Sequence, residues 1–508
     1  MRRVLTNKKV VIFSVFVAGL CSLVYELLIS TTASYFLGDS VKQFSITIGL
    51  YLASMGLGSY LSRFIKTKLL RSFIAVEILL GIVGGLAVPL LYLAYAYGTV
   101  FWPVVVGLIM TIGALTGLEI PLLTRVMDEE ESLDVNLANI LSFDYLGALL
   151  ATLAFPFVLL PVLGTFRASL VLGLLNLLIG LVNLWWFADR LGQRSRVQGY
   201  ALTAGAALVL GGLLAGSGPV MDRWSNKVYE DRIVYREQTP YQKIVMTRWQ
   251  EDLRLFLDGN LQFSSLDEPR YHEPLVHIPM SQARSPKRVL VLGGGDGLVA
   301  REVLKYSSVE QITIVDLDPK MFEIARTHPA LTRLNDRSLH SPRVRTKAKD
   351  AFVFLEETER RYDLIVADLP DPNNVSLARL YSRTFYGLVR SHLTRDGVFV
   401  TQATSPYFAR EAFWTIHATL RAGGFAHTYP YHVNVPSFGE WGFILAAERP
   451  LRPATATPRV DTRFLNDEVV PGLFRFPKDL HVAESPPPST LDQPRVLEAY
   501  LDGWRYWN

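Results

Sequence analysis

The sequence is poor in cysteine and in net charge. It contains a single cysteine, Cys21, which lies inside an apolar run. One thiol cannot form an internal disulfide and matches no metal-ligand spacing, so it does not report the redox compartment. The formal net charge of +4 over 508 residues is too small to indicate a nucleic-acid partner. We therefore expect neither a disulfide framework nor nucleic-acid binding.

Charged residues are also sparse from Val10 to Val220, where the apolar runs are long. A bilayer-spanning helix needs roughly 20 apolar residues. Seven segments come close to this length, namely Val10–Ser30, Phe44–Leu61, Phe73–Tyr97, Phe101–Thr124, Leu137–Leu163, Ala168–Phe187 and Tyr200–Gly218. Residues 1–220 are thus predicted to form an α-helical transmembrane bundle. The expected partner is the lipid bilayer, and the expected location is the cell (inner) membrane.

Three glutamates, Glu26, Glu77 and Glu119, interrupt these apolar segments. An ionisable group inside a bilayer is costly and is a functional hypothesis by default. Two interpretations remain open. The carboxylates are either structural, being neutral or paired with a helix end or a tyrosine, or they belong to a path for a polar ligand.

The remainder of the chain has the composition of a soluble α/β protein. Residues 233–263 alternate apolar and polar side chains around the hairpin pair Asp258-Gly259, which predicts a small antiparallel β subdomain over residues 221–285. Over residues 286–450, strands are predicted at Val289–Leu292, Gln311–Val315, Val344–Lys347, Leu364–Ala367, Gly397–Gln402 and Trp441–Ala447, with helical patterns between most of them. This alternation predicts a Rossmann-like α/β domain with a doubly wound parallel sheet. Residues 451–508 form a proline-rich C-terminal tail.

A glycine turn, "GGGDG", follows the first of these strands and includes Gly293 and Gly295. Glycines let the backbone approach a ligand closely, and ligands of open α/β sheets bind at the carboxyl ends of the strands. Asp316 ends the next strand about 20 residues further on, where an acid commonly binds a ribose diol. These features suit a dinucleotide and a sulfonium nucleoside equally.

Asp296 distinguishes the two ligands because it lies inside the turn. A carboxylate repels a pyrophosphate but attracts a cation. Asp350, in "KDAFVFL", can accept a hydrogen bond from a purine amine, and Asp368 and Asp371 follow the fourth strand in "YDLIVADLPDP". Aspartates at so many strand ends predict a pocket for a cationic ligand.

The segment from about Tyr229 to Glu448 resembles the spermidine synthase family of polyamine aminopropyltransferases. The motifs that carry the resemblance occur in family order: "TPYQKIVM", "LFLDGNLQFSSLDEPRYHEPLVHIP", "RVLVLGGGDGLVAREVLKY", "VEQITIVDLDP", "KDAFVFL", "YDLIVADLPDP", "LYSRTFY" and "VPSFGEWGFILA". The apolar N-terminal half is similar to that of membrane-fused members. The resemblance implies a class I methyltransferase-type fold, decarboxylated S-adenosylmethionine as co-substrate and a diamine acceptor, most often putrescine. The products would be spermidine and methylthioadenosine, with no permanently bound cofactor and no metal.

The resemblance also implies roles for individual residues. On the donor side, Gly293 and Gly295 admit the ligand, Gln242 touches the nucleoside, Asp296 holds the aminopropyl ammonium, Asp316 binds the ribose hydroxyls, and Asp350 and Ala351 meet the adenine. On the acceptor side, Asp368 is the general base, Asp371 and Tyr241 position the attacking amine, His272 lines the acceptor channel, and Phe438 offers an aromatic face to a cation, although plain packing is an alternative role for this ring.

Three departures from the family pattern affect this transfer of roles. Leu298 replaces the last glycine of "GGGDGG", and Asp316 stands where most members carry glutamate. The segment "NNVSLARLYSRTFY", after Asp371, is one residue longer than usual and lacks the expected Gly-Pro. Because this segment covers the acceptor, the identity of the amine is the least constrained part of the interpretation.

Two other functions remain open. A methyltransferase would use intact S-adenosylmethionine, whose carboxylate Asp296 would repel. A polyamine transporter or sensor would bind amines at the membrane glutamates and use the soluble half for regulation. Soluble members of the family are typically oligomeric, so a homo-oligomer is an expectation as well.

Lysine and arginine in the loops predict a cytoplasmic N-terminus. The relevant residues are Arg2, Arg3, Lys8, Lys9, Arg63, Lys66, Lys68, Arg71, Arg190, Arg194 and Arg196. Seven spans would then place the soluble half outside, whereas its donor is a cytosolic metabolite. We expect the last apolar segment, "YALTAGAALVLGGLLAGSG", to be marginal or re-entrant, so that the catalytic domain is cytoplasmic.

Overall fold

A computed structural model describes residues 2–37, 40–96, 100–127, 133–221, 229, 231–505 and 507. The chain divides into two compact units, Met1–Asp231 and Arg232–Asn508. The first unit is helical, and the second contains both sheets of the described chain.

The helical unit consists of long apolar helices. They are α1 (Arg2–Leu37), α2 (Ser40–Ser62), α3 (Leu69–Ala96), α4 (Phe101–Met127), α5 (Leu133–Ala154), α6 (Leu160–Trp186) and α7 (Gln193–Ala215). By length and composition, six helical stretches of the described chain could cross a membrane. The sequence predicted seven, and the difference lies in Leu137–Trp186, which is a single stretch of 50 residues.

This stretch is interrupted at Gly164, where φ is 68° and the backbone leaves the helical conformation. A straight helix of this length would extend about 75 Å, more than twice the thickness of a bilayer core. The last apolar segment, which the sequence predicts to be marginal or re-entrant, lies mostly in α7, an unbroken helix of 23 residues that is long and apolar enough to cross a membrane.

Small residues allow α2 and α4 to pack closely. A Cβ atom added to Gly58 would overlap the backbone of Ala114, and one added to Gly117 would overlap the backbone of Met55. Each helix thus places a glycine against the backbone of the other. Small residues at the contact are the usual way in which apolar helices approach each other closely.

The second unit begins with a four-stranded antiparallel sheet of order β1-β2-β3-β4. Its strands are β1 (Arg232–Gln238), β2 (Lys243–Trp249), β3 (Asp252–Leu257) and β4 (Asn260–Ser264). Asp258 and Gly259 join β3 to β4, and both have positive φ values, 49° and 86°. A two-residue hairpin loop of this kind needs positive φ at its central positions.

The large sheet has seven strands in the order β7-β6-β5-β8-β9-β11-β10. They are β5 (Arg288–Gly293), β6 (Gln311–Asp316), β7 (Val344–Ala348), β8 (Tyr362–Asp368), β9 (Leu393–Gln402), β10 (His427–Val435) and β11 (Gly439–Ala447). The first five are parallel, as the sequence predicted. The last predicted strand, β11, is instead antiparallel to β9 and to β10. The connection between β10 and β11 is too short for the crossover that parallel strands require.

Helices flank this sheet and continue through the C-terminal segment. They are α8 (Pro269–Gln282), α9 (Leu298–Leu304), α10 (Pro319–Thr327), α11 (Pro329–Leu334), α12 (Ala351–Glu357), α13 (Val375–Ala378), α14 (Arg383–Ser391), α15 (Arg410–Ala422), α16 (Val470–Leu473) and α17 (Arg495–Trp504). In α16 and α17, Val470 and Val496 are fully buried, so the proline-rich tail belongs to the folded unit.

Candidate active site

The strand order reverses between β5 and β8, and this switch point is where open α/β sheets bind ligands. Gly293, the last residue of β5, is paired in register with Asp368, the last residue of β8. Gly293 has a φ of 80°, and a Cβ atom there would overlap the carbonyl oxygen of Asp368. Only glycine therefore allows the turn to leave β5 this close to the end of β8.

Asp316, the last residue of β6, contacts the glycine turn. Its Oδ2 accepts a 3.1 Å hydrogen bond from the Gly295 N–H, and its Oδ1 accepts a 3.0 Å bond from the Asp318 N–H. A Cβ atom on Gly295 would lie 2.6 Å from Asp316 Oδ2, so glycine is required for this contact. Burial raises the pKa of Asp316 to about 6, against the effect of these hydrogen bonds.

Asp296 is 8% exposed and lies inside the glycine turn. Its Oδ1 accepts a 2.8 Å hydrogen bond from the Leu298 N–H, and its carbonyl oxygen accepts one of 2.8 Å from Asn335 Nδ2. Burial raises the pKa of Asp296 to about 6, and the charge of Asp368 acts in the same direction while that of His272 opposes it. A cation in this pocket would therefore be stabilised by both acids.

Gln242 lies in the loop between β1 and β2 and contacts the loop that follows β6. Its Nε2 donates a 3.1 Å hydrogen bond to Asp318 Oδ2, which also accepts a 2.7 Å bond from Thr239 Oγ1. Asp318 in turn caps α10 by accepting from the Lys320 N–H at 3.0 Å. Gln242 is thus beside the Asp316 loop, and its contact with a nucleoside stays a prediction.

Asp350 is the N-cap of α12. Its Oδ1 accepts hydrogen bonds from the N–H groups of Phe352 and Val353 at 3.0 and 3.1 Å, and its Oδ2 pairs with the guanidinium of Arg379. Both oxygens of Asp350 are therefore already engaged, while Ala351 beside it is buried. Adenine recognition by this pair stays a prediction.

Asp368 accepts a 2.7 Å hydrogen bond from the Tyr271 hydroxyl of α8. Burial raises the pKa of Asp368, while the charge of His272 and the Tyr271 hydrogen bond lower it in part. The net pKa remains above the ordinary aspartate value. Such a carboxylate is a stronger base than an exposed one, as proton abstraction requires.

His272 is only 2% exposed, and its Nδ1 faces Glu268. It lies 2.8 Å from the Glu268 carboxylate and 3.1 Å from the Glu268 carbonyl oxygen, and the same carboxylate pairs with Arg301 at 2.8 Å. Burial lowers the pKa of His272, but Glu268, Asp368 and Asp296 together raise it above the usual value. The charge of the imidazole lowers the pKa of Asp296 and of Asp368. The place of His272 along an acceptor channel stays a prediction.

Asp371 lies at the other end of the acid cluster. It accepts hydrogen bonds from Gln402 Nε2 at 3.2 Å and from Thr404 Oγ1 at 3.3 Å. Burial raises the pKa of Asp371 to about 6, although these partners act against it.

The two aromatic candidates differ in exposure. Tyr241 is 52% exposed, in the loop between β1 and β2, where its N–H donates to Thr239 Oγ1 at 3.1 Å. The ring of Phe438 is partly buried, 6.0 Å from that of Tyr271 and 5.1 Å from that of Trp441. Phe438 therefore belongs to the aromatic wall that holds the partner of Asp368.

Two contributors to the site were not identified from the sequence, although both had accessible signals. Tyr271 lies in the "YHE" motif next to His272, and Gln402 is a polar residue at the end of a predicted strand.

Comparison with known proteins adds independent information. The family described as "Spermine/spermidine synthase domain" matches residues 268–456. The chain is 43% identical over 501 residues to polyamine aminopropyltransferase 2 of Ralstonia nicotianae, covering 97% of this chain and 98% of that protein. It is 40% identical over 495 residues to the polyamine aminopropyltransferase of Leptospira interrogans, with the same coverage of both chains. A spermidine synthase solved in complex with the transition-state analogue AdoDATO is 26% identical, with a TM-score of 0.45, over 48% of this chain and 86% of that one.

Proposed function

The chain belongs to the polyamine aminopropyltransferase family, and on that basis we propose that it transfers an aminopropyl group from decarboxylated S-adenosylmethionine to a diamine. Putrescine is the first choice of acceptor, and the products are then spermidine and methylthioadenosine. The observation that supports this proposal most directly is the pair of acids at the switch point, the buried Asp296 and the partly buried Asp368. Two carboxylates next to a glycine turn suit a donor and an acceptor that are both cationic.

In the proposed reaction, Asp368 is the general base. A diamine is protonated at neutral pH, and its nitrogen cannot attack until one proton is removed. As Asp368 takes this proton, the nitrogen lone pair forms a bond to the methylene carbon attached to the sulfonium. The carbon–sulfur bond breaks, and its electron pair returns to sulfur to leave neutral methylthioadenosine. The positive sulfur is its own activating group, and alignment of the two reactants supplies much of the rate.

The donor is proposed to lie along the ends of β5, β6 and β7. Asp296 binds the aminopropyl ammonium by a charge-assisted hydrogen bond, which is stronger than a neutral one. Asp316 accepts from the ribose hydroxyls. The other donor residues are Gln242, Gly293, Gly295, Asp350 and Ala351. For Asp350, adenine recognition requires that its carboxylate share the contact with Arg379.

The acceptor is proposed to lie between Asp368 and Asp371, which hold the amine at the end of β8. Phe438 closes this side through its contact with Tyr271. His272 contributes its charge to the acids, and Tyr241 positions the amine from the loop between β1 and β2. An amine with two ammonium groups would thus meet two acids.

The helical unit is proposed to hold the enzyme in the cell membrane. The catalytic unit is inferred to face the cytoplasm, because its donor is a cytosolic metabolite. Reporter fusions to the C-terminus would test this, with activity of a cytoplasmic reporter as the expected result. Activity of a periplasmic reporter alone would contradict the assignment.

The function itself is tested with purified protein, decarboxylated S-adenosylmethionine and a panel of amines. Formation of methylthioadenosine, detected by mass spectrometry, with consumption of one amine is the expected result, and it also identifies the acceptor. Intact S-adenosylmethionine is the control donor. Methylated product from this control, without methylthioadenosine from the first donor, would instead support a methyltransferase.

A further inference from the structure

The interior of the helical unit carries buried charge of one sign. Glu77 is 0% exposed, Glu119 is 3% exposed, and Glu26 is buried as well. Among the side chains described between residues 9 and 221, no lysine, arginine or histidine is buried. An ionised carboxylate buried without a counter-charge is destabilising by several kcal/mol. These glutamates are therefore either neutral or paired with a cation from outside the chain.

Four helices contribute polar groups to the same region. Glu77 lies on α3, Glu119 on α4 and Asn176 on α6. Asn176 Nδ2 donates a 3.3 Å hydrogen bond to Glu77 Oε2. α3 packs against α1, α4 and α6, and the ring of Tyr25 on α1 lies against Gly84 of α3.

Each of these four side chains has a buried polar atom without a hydrogen-bond partner in the described part of the chain. The atoms are Glu77 Oε1, Glu119 Oε1, Asn176 Oδ1 and the Tyr25 hydroxyl oxygen. A buried polar atom left unpaired destabilises the folded state. The three carbonyl-type oxygens are acceptors only, and a primary ammonium group presents three N–H donors and one positive charge. The Tyr25 ring adds a face that attracts cations.

We propose that Glu77, Glu119, Asn176 and Tyr25 form a binding site for a primary amine inside the helical unit. This site lies in a different unit from the catalytic acids. The helical unit is then an amine-binding element as well as an anchor. The ligand class follows from the acceptor set, since an ammonium group satisfies the unpaired oxygens and neutralises the carboxylates.

The test measures binding of radiolabelled butylamine, which carries one ammonium group, to the full chain in lipid nanodiscs by equilibrium dialysis. The Glu77→Gln/Glu119→Gln double variant should lose one bound equivalent or bind at least tenfold more weakly. Its formation of methylthioadenosine should equal that of the wild type, which also shows that the variant is folded.

The matched control is Glu26→Gln, which neutralises a buried glutamate whose carboxylate oxygens are not among the unpaired atoms. This variant should bind butylamine like the wild type. Unchanged binding in the double variant would overturn the proposal. Equal loss of binding in the Glu26→Gln variant would overturn the assignment to Glu77 and Glu119.

Discussion

The hydroxyl of Tyr271 donates a 2.7 Å hydrogen bond to Oδ1 of Asp368. One residue comes from α8 and the other from the end of β8, so two separate elements of the catalytic unit meet at the proposed base. The bond leaves Oδ2 of the same carboxylate for an incoming amine. It also lowers the pKa of Asp368 against the opposing effect of burial.

Replacement of Asp368 by asparagine removes the proposed base while keeping its shape. We expect kcat to fall at least about 100-fold, the lower range for loss of a general base. Donor affinity, measured by calorimetry, should change little. Asp363→Asn is the matched control on the same strand, because Asp363 accepts from the N–H groups of Lys287 and Arg288 at the opposite end. Equal activity of the two variants would refute the role of Asp368.

Replacement of Tyr271 by phenylalanine should shift the acidic limb of the pH–rate profile. Without the hydroxyl, the pKa of Asp368 rises, so the base becomes protonated at a higher pH. The limb should therefore move to higher pH. Tyr431→Phe is the control, since the Tyr431 hydroxyl donates to the carbonyl of Pro274 and not to an acid. A limb that stays in place in Tyr271→Phe would contradict the hydrogen bond's electrostatic role.

Replacement of Asp296 by asparagine should stabilise the fold and inactivate the enzyme. The pKa of Asp296 is raised from 3.8 to about 6, so the folded chain binds this proton more tightly than the unfolded chain. The stability that comes from this proton is fully present below pH 3.8 and is lost as the pH rises to about 6.

An asparagine side chain carries no charge, so its stability does not fall in this pH range. Its amide oxygen can still accept a hydrogen bond from the Leu298 N–H. At pH 7.5 we expect a gain on the order of 2 kcal/mol in the free energy of unfolding, which disappears near pH 4. Thermal unfolding of the full chain in detergent at both pH values measures it. Asp467→Asn, at an exposed position, should have no such effect. A variant that is less stable than the wild type at pH 7.5 would show that Asp296 is not a strained charge.

Replacement of Gly293 by alanine should disrupt the pocket. Its φ of 80° is strained for any other residue, and the new methyl group would overlap the Asp368 carbonyl oxygen. Gly259→Ala separates the two effects, because Gly259 has a φ of 86° but open space around its Cβ position. We expect a loss of about 1 kcal/mol in unfolding free energy for Gly259→Ala and a clearly larger one for Gly293→Ala, with loss of donor binding. Similar losses in both variants would show that the close approach to Asp368 is unimportant.

The sequence was sufficient to locate most of the large sheet. Buried parallel strands are nearly continuous apolar runs, so β5 and β8 could be recognised, and the glycine or aspartate at their ends became candidate site residues. β10 was missed because "HTYPYHVNV" combines a proline with polar residues, which weakens any strand pattern.

Contacts between segments that are distant in sequence could not be predicted. The helix that carries Tyr271 contains Pro274 and Pro279, which obscure its helical pattern. The break at Gly164, in contrast, falls where the sequence separates two apolar segments, Leu137–Leu163 and Ala168–Phe187.

The pairing of Gly293 with Asp368 has a mechanical consequence. Both residues sit in adjacent strands of one hydrogen-bonded sheet, in register, and not on separate loops or lobes. The spacing between the backbone of the glycine turn and that of the proposed base is therefore set by the strand separation, which is about 4.8 Å in any sheet. Motion of the surrounding loops leaves this backbone spacing unchanged. In the proposed reaction, part of the alignment of the two reactants thus comes from the hydrogen bonds of the sheet.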